Sequence, residues 1–580
     1  MADNTTDLLC AIRTLNHWKT LHQPTYIGIR LLVESAMGKK SRWLDNFILW
    51  KFGNTRNPRY IDYMQIKGID SVGDLEYRTF YAPSPITALA ESWVLNKLSS
   101  NLSFQTSEHI SSYKWPSKKN ASRDYEYYAI RYNARNINIS RLLNLNKNKT
   151  ALIIDVKKFY PSINKQSVRN KFINKVKNTD WEDNVKSAII NICIGMLEVA
   201  QEGIPIGPSL SHVFGNIAME PIDEIMILKY GEYYHRYVDD IVVVVDASEV
   251  EASHKLISAL LEDEGLALNE SKFDILTRNE WVENVPTMKF KPAKNSFEEL
   301  KTRIVSFLAL HPDKYDALKN AFIENGFALP IDKMRADSKY KRWQQYIYFL
   351  GRGRDIPISK IFNNTEQTLL EAGLLLRTSL RSQFEELLQN IPPHKTTPKK
   401  WHAQKKKYLL NRLLYLLPRD EYPSIINLIS DDEDLYTHAI LMKCFYHGNI
   451  IPIIDYPGVL VSSFVSLCLS TRTKLSNILW SFDPRPHRVD SVAMFILSGL
   501  LTPPAEWIEK CEAKERELIE FCNKSIASIN EHNFSYYDEI NTLRLGKTCQ
   551  DYLKILNSRF NNDESIFFEL LNIGEEYFSG

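Results

Sequence analysis

Two short apolar runs carry the clearest structural signal in the chain. Ile241-Val-Val-Val-Val245 and Ala151-Leu-Ile-Ile154 are rich in β-branched side chains and too short for helices, so both predict strands. Tyr233-Tyr234-His235-Arg236 precedes Tyr237-Val238-Asp239-Asp240 and is read as the partner of the strand that follows. That pairing sets Asp239 and Asp240 at the tip of a tight hairpin. Elsewhere the spacing is helical. Leu210, Val213, Phe214, Ile217 and Ala218 share one face, a helix is expected from about Trp181 to Val199, and Tyr81-Ala-Pro83-Ser-Pro85 leads into another from about Ile86.

Strand signals fade beyond roughly residue 290. Leu369, Leu376, Leu380, Phe384 and Leu388 form one stripe, Leu409, Leu413, Leu416 and Leu417 a second, and Leu435 to Tyr446 a third that Gly448 closes. The pattern predicts an α+β chain in three parts. Residues 1–104 are mixed and mostly helical, 105–290 carry an antiparallel sheet with helices, and 291–580 are all-α. No fixed repeat period is visible, so a helical-repeat array stays open.

Composition adds bounds. A chain of 580 residues, 44% apolar and 24% charged, has the make-up of a globular protein with room for two or three cores. No N-terminal apolar segment or bilayer-length stretch appears, and seven scattered cysteines lack metal spacing, so a reducing cytoplasm is the expected setting. The net charge of +2 hides an asymmetry, because residues 105–180 hold sixteen Lys/Arg against five Asp/Glu. Lys114, Lys118, Lys119, Arg123, Arg131, Arg135 and Arg141 alternate there with Tyr125, Tyr127, Tyr128 and Tyr132, which suits a phosphate backbone, a triphosphate or a solvated basic face. A second block from Leu387 to Arg419 has no acid, with Pro392, Pro393 and Pro398 ahead of Lys405-Lys406-Lys407. It reads as a linker feeding a helix, and either a nucleic-acid contact or a solubilising surface.

The candidate chemistry gathers around the two strands. Asp155 ends the first of them, followed by Phe159-Tyr160-Pro161. Asp turns hairpins well, but adjacent carboxylates are costly unless a cation neutralises them, and hard divalent ions prefer such oxygens. Three carboxylates suffice to hold two metals about 3.5–4 Å apart for in-line phosphoryl transfer. Between the strands lies Gly203-Ile-Pro-Ile206-Gly207-Pro208-Ser-Leu-Ser211, whose glycines let backbone approach a ligand closely. Gly265-Leu-Ala-Leu-Asn269-Glu-Ser-Lys272 follows the hairpin and returns a lysine towards it.

In this order, from Asp155 to Lys272, the motifs resemble those of the reverse transcriptases: a strand Asp with an aromatic five residues on, G-I-P-x-G, YxDD, then GLxLNxxK. Ile206 stands where many members carry Gln, and the form G-I-P-x-G-P-x-x-S is similar to the bacterial abortive-infection and defence-associated branch. The resemblance implies a right-hand polymerase with fingers and palm over 105–290, fingers elements within 1–104, and a helical domain in place of the thumb. It implies two Mg²⁺ ions, with Mn²⁺ as the alternative, held by Asp155, Asp239, Asp240 and the Val156 carbonyl. It implies that Lys272 protonates pyrophosphate and that Tyr160 packs under the sugar and excludes a 2′-hydroxyl, so that dNTPs are the substrates. Arg131 is then the triphosphate ligand of the fingers, and Gly207, Pro208 and Tyr237 line the substrate. Nucleic acid, with a noncoding RNA as one template, and a homo-oligomer are the partners expected of that branch. Tyr160 as ordinary core and Lys272 as a solvated lysine remain alternative readings. Three functions stay open: a defence polymerase, a retron-like or intron-derived enzyme copying a structured RNA, and a non-catalytic nucleic-acid-binding scaffold.

Overall fold

The computed structural model describes residues 4–36, 43–53, 57–69, 74–117, 121, 123–284, 296–334, 363–389, 396–473, 475 and 480–523. Lys118, Lys119, Pro392 and Pro393 of the two basic blocks lie outside the described residues. The chain divides into two compact units, one formed by Met1–Asp62, Thr79–Met288 and Pro392–His402, the other by Tyr63–Arg78, Lys289–Ile391 and Ala403–Gly580.

In the first unit, helices α1 (Asn4–Leu21), α2 (Gln23–Ala36) and α3 (Trp43–Phe52) come first. Strands β1 (Tyr60–Ile69) and β2 (Leu75–Pro83) then form a two-stranded sheet whose middle, from Tyr63 to Arg78, is counted with the second unit. This ribbon stands in a stretch whose sequence reads as mostly helical. Its residues are half-buried on both faces, so neither face shows the clean alternation that marks a strand. Helix α4 (Pro85–Ser99) follows, its N-terminus capped by the Ser84 side chain with Pro85 in the first turn. After it come α5 (Tyr128–Leu145), β3 (Lys149–Asp155), α6 (Phe159–Ser162), α7 (Lys165–Lys177), α8 (Asp183–Leu197), α9 (Ser211–Tyr230), β4 (Tyr234–Tyr237), β5 (Asp240–Asp246), α10 (Val250–Asp263), β6 (Asp274–Leu276) and α11 (Arg278–Asn284).

The antiparallel sheet has the order β4-β5-β3-β6. Residues directly opposite share a face of a sheet, so the register decides what each face carries. Ile153 pairs with Val242 and Ala151 with Val244, and this face packs on Ile139, Leu142 and Leu143 of α5 together with Trp281 and Trp401. Leu152, Ile154, Ile241, Val243 and Val245 fill the other face and are also buried. Burial on both faces is why β3 and β5 read as unbroken apolar runs. The same parity puts Asp155, Asp240 and Tyr237 on the α5 face, at its open end.

In the second unit every described element from Phe297 onward is helical, beginning with α12 (Phe297–Leu310), α13 (Tyr315–Glu324), α14 (Glu366–Gln389), α15 (Thr396–Leu413, shared with the first unit), α16 (Tyr422–Ile429) and α17 (Tyr436–His447). The leucine stripes are core: Leu369, Leu376, Leu380, Phe384, Leu409, Leu413, Leu416 and Leu417 are buried in one cluster, with Leu388 packed against it. Gly448 ends α17 with φ +66, its N–H bonded to the Cys444 carbonyl, the left-handed cap for which Gly is suited. Lys406 of the second basic block is buried and pairs with Asp432 at 2.6 Å and Asp434 at 2.8 Å, so part of that block's charge is spent inside the unit. Among the described residues, no helix is long and apolar enough to cross a membrane.

Candidate active site

The hairpin between β4 and β5 closes with the pair Tyr237 and Asp240, leaving Val238 and Asp239 as a two-residue loop. Val238 has φ +56, a region that two-residue hairpins usually give to Gly and that a β-branched residue enters only under constraint. The constraint is visible. Arg236 Nη1 donates to the Val238 carbonyl at 2.9 Å, and the Val156 N–H donates to the Asp239 carbonyl at 3.2 Å.

Arg236 is itself anchored. Its side chain is 1% exposed and donates from Nε and Nη2 to the two oxygens of Asp223 on α9, at 2.8 and 2.7 Å. The Tyr234 hydroxyl donates to the same carboxylate at 2.6 Å. Burial works against the guanidinium's charge, yet the Asp223 charge and hydrogen bonds hold its pKa above the ordinary value. A buried bidentate pair of this kind fixes geometry as well as charge.

Asp155 and Asp240 stand opposite each other across β3 and β5. Asn269 donates its backbone N–H to the Asp155 carbonyl at 2.8 Å and its Nδ2 to the Asp155 carboxylate at 2.9 Å. Lys272 Nζ lies 3.3 and 3.2 Å from the two oxygens of that carboxylate, so the lysine does return to the site. Across the pair, Arg135 of α5 is 3% exposed, with Nη1 3.9 Å from the Asp240 carboxylate and 3.5 Å from its carbonyl. The Arg135 guanidinium lies 4.3 Å over the Tyr132 ring, which meets Tyr237 edge-on at 5.3 Å. Arg135 precedes Ile139 and Leu142 on the face of α5 that covers the sheet, which is how helical spacing delivers it to the carboxylates.

Asp239 occupies the turn beside this pair and Val156 continues β3, paired across an isolated bridge with Leu268. Among the described residues no three His, Cys, Asp or Glu side chains converge as a ready-made metal cage; the paired carboxylates are held by cationic side chains. The donor set nevertheless fits a hard divalent ion, because it consists of adjacent carboxylate oxygens whose repulsion must be neutralised by positive charge.

The Gly-rich segment is strapped down on all sides. Tyr81 N–H donates to the Ile206 carbonyl at 2.8 Å, His17 Nε2 bonds the Gly207 carbonyl at 3.0 Å, and the Tyr125 hydroxyl donates to the Ser209 carbonyl at 3.0 Å. Gly207 has φ +118, and a Cβ there would lie 2.7 Å from the Tyr81 carbonyl oxygen. A Cβ at Gly203 (φ +60) would run into the carbonyls of Tyr160 and Pro161. The close approaches that these glycines permit are therefore to the protein's own backbone.

Glu91 of α4 completes the strap, accepting from the Ser209 N–H at 2.8 Å and the Tyr60 hydroxyl at 2.7 Å. Burial pushes its pKa up to about 8, against the pull of those hydrogen bonds and with the Asp124 charge adding to the rise. A carboxyl that keeps its proton to about pH 8 when folded, but loses it near its ordinary value when unfolded, contributes stability below that ordinary value. The contribution drains away as pH rises towards 8. Asp124, pushed up to about 6 by burial, acts in the same sense only in the lower part of this window. Glu91→Gln should therefore gain in melting temperature relative to the parent, by several degrees, between pH 6 and pH 8.5; parallel melting curves across that range would show that Glu91 does not titrate there.

Tyr160 sits in α6 with its hydroxyl 2.8 Å from His212 Nδ1. Burial, then the Asp239 charge, raises its phenol above the ordinary value. Arg131 pairs with Glu126, a neighbour on its own segment. Other cations of the basic block reach acids beyond it: Arg141 to Glu232, Lys149 to Asp246, Arg169 to Glu198, Lys171 to Glu264 and Lys175 to Glu220. The local excess of positive charge is thus partly met by the acidic remainder of the chain. Arg135, Asp223, Arg236, Glu91 and His212 are the residues that motif reading passes over. A lone charge on the apolar stripe of a helix, as at Arg135, is a signal that points to one of them.

Residues 94–351, a little under half of the chain, match the reverse transcriptase (RNA-dependent DNA polymerase) family. No curated protein matches the chain. Among solved structures it is similar to apo telomerase from Candida tropicalis, with 12% identity over 60% of this chain and 70% of that one and a TM-score of 0.27. It is also similar to telomerase from Candida albicans in complex with the TWJ fragment of telomeric RNA, with 13% identity over 74% and 66% and a TM-score of 0.28. The family match takes in both paired carboxylates, the hairpin and Lys272, and on it residues 94–351 are a reverse transcriptase domain, an RNA-directed DNA polymerase.

Proposed function

We propose that this chain is a bacterial defence polymerase of the abortive-infection type, extending a 3′-hydroxyl with deoxynucleoside triphosphates. The observation that carries the reading is the cross-strand pair Asp155 and Asp240 beside the strained Asp239 turn, joined to a Gly-rich motif that has Ile206 and Pro208 in place of the usual Gln-containing form. Synthesis is primed by a hydroxyl of the protein itself, runs without a template or copies a dedicated noncoding RNA, and takes place in the cytoplasm within a homo-oligomer.

Reverse transcriptase domains use divalent metal ions, typically Mg²⁺. Asp155, Asp239 and Asp240 with the Val156 carbonyl would hold them, and the ions supply an acidified 3′-hydroxyl and neutralisation of the departing pyrophosphate. Lys272, bonded to Asp155, holds a proton at Nζ for the leaving group. Arg131 takes the triphosphate in exchange for Glu126. Gly207, Pro208 and Tyr237 border the base and sugar, and Tyr160 closes the sugar side against a 2′-hydroxyl.

The test is incorporation of each labelled dNTP by the purified protein with Mg²⁺ and no added template or primer, resolved on denaturing gels before and after protease and RNase. Label that migrates with the protein and shifts on proteolysis is the expected result, and EDTA should abolish it. Incorporation only after template and primer are supplied would favour a retron-like enzyme. None under any condition would leave a nucleic-acid-binding scaffold.

A further inference from the structure

His212, in the first turn of α9, is the meeting point of three aromatic side chains from separate parts of the chain. Its Nδ1 shares a hydrogen bond of 2.8 Å with the Tyr160 hydroxyl. The Tyr113 ring lies flat against the imidazole, centroids 3.5 Å apart and planes within 10°. Tyr125 meets it edge-on at 5.7 Å, and Trp115 stacks on Tyr125 at 5.2 Å.

Tyr113 reaches this position because the chain just before it is tied to the catalytic hairpin. Ser111 N–H donates to the Arg236 carbonyl at 2.9 Å, and Arg236 N–H to the His109 carbonyl at 3.3 Å. Ile110 thereby bridges in parallel to Arg236. Tyr113 itself has φ +47, a conformation a bulky residue keeps only where its surroundings demand it. On the other side, the Phe159 and Tyr160 rings pack onto α9 at Gly215, where an added Cβ would touch both at 3.4 Å. Burial, with His17 adding to it, keeps the imidazole well below the ordinary His range, so it meets the phenol as a neutral partner.

A wall that excludes one hydroxyl group must hold its position to a fraction of an ångström, and an aromatic side chain does so only when neighbours lock its rotamer. The Tyr160 ring has packing on its flank, and its hydroxyl at the tip bonds His212 Nδ1 and also meets the Tyr113 side chain. We propose that His212 is a positioning residue for sugar selection, fixing the Tyr160 ring through its hydrogen bond to the hydroxyl while Tyr113 clamps the imidazole from the far face. The proposal rests on Tyr160 being the residue that faces the sugar.

The experiment measures the ratio of kcat/KM for a dNTP and the matching NTP in the full-length protein. The variants are Tyr160→Ala, Tyr160→Phe, His212→Phe, His212→Asn and the double Tyr160→Phe/His212→Phe, each checked by its melting temperature. Tyr160→Ala should relax discrimination by a factor on the order of ten or more. His212→Phe should relax it about five-fold, the worth of one ordinary hydrogen bond, and Tyr160→Phe at least as much, since it also removes the contact with Tyr113. The double variant should do no more than Tyr160→Phe alone, because that variant already removes the bond to His212. His212→Asn, whose amide can reach the phenol from the position of Nδ1, should recover most of the selectivity. If Tyr160→Ala relaxes the ratio while His212→Phe leaves it unchanged, or if the double variant shows the product of the two effects, the role of His212 is overturned with the sugar wall intact. An unchanged ratio in Tyr160→Ala removes Tyr160 from the sugar side and overturns both.

Discussion

Asp240→Asn should lower dNTP incorporation at least about a thousand-fold, a barrier increase of about 4 kcal/mol, while the melting temperature stays within a few degrees. The two halves of this expectation have separate physical causes. Catalysis depends on negative oxygens that can bind and orient a divalent ion, and an amide offers one neutral oxygen in place of two charged ones. Folding depends little on the carboxylate charge. Arg135, the buried cation across from Asp240, is also held by the Asp240 backbone carbonyl and the Tyr132 ring, so it keeps partners after the substitution. Asp155→Asn should behave alike, since Asn269 still holds the backbone of that residue through its carbonyl. Asp246 provides the control. It ends the same strand, pairs with Lys149 at 3.1 Å and lies at the opposite end of β5 from the hairpin, so Asp246→Asn should retain activity. Incorporation within ten-fold of the parent by a well-folded Asp240→Asn protein would move the catalytic centre away from this hairpin.

The parts of this site that were legible from sequence are those whose local pattern is also their structural cause. Ile241 to Val245 is an unbroken β-branched run because both faces of β5 are buried, and Asp239 and Asp240 interrupt it because the chain turns there. Lys272 stands beside Asp155 because a short return from α10 brings it there. The β1/β2 ribbon was not legible, since its half-buried faces mix Lys67 and Glu76, an exposed ion pair, with apolar residues at no fixed period. Asp223 and Arg236 were missed for a different reason. Each looks like an ordinary surface charge in its own segment, and only the packing of α9 against β4 shows that the two are buried against each other. Arg135 falls between these cases: it sits on the apolar stripe of α5, where a cation calls for a buried anion, but nothing local says which.

Asp223→Ala is expected to cost about 3–5 kcal/mol of stability, the usual penalty for removing one partner of a buried ion pair and stranding the other. Arg236 would lose both of its bidentate acceptor oxygens, Tyr234 would lose its hydroxyl's acceptor, and a guanidinium that is 1% exposed cannot recover them from water. The double variant Asp223→Leu/Arg236→Met removes both charges and should regain most of that loss, because apolar groups of similar volume avoid the desolvation cost of the pair. Activity should not return with stability. Arg236 also donates to the Val238 carbonyl, and without that bond the β-branched residue has less to keep it at a positive φ worth about 1–3 kcal/mol of strain. The loop would relax, and Asp239 and Asp240 would leave the register that sets Asp240 against Asp155. The check is chemical denaturation and dNTP incorporation on the parent, the single variant and the double variant. A double variant that recovers stability yet stays at least about a hundred-fold less active would show that the buried pair holds the catalytic turn in place. Recovery of both together would mean that the pair serves only the packing of α9 on the sheet, and that the Val238 turn is held by the rest of the hairpin.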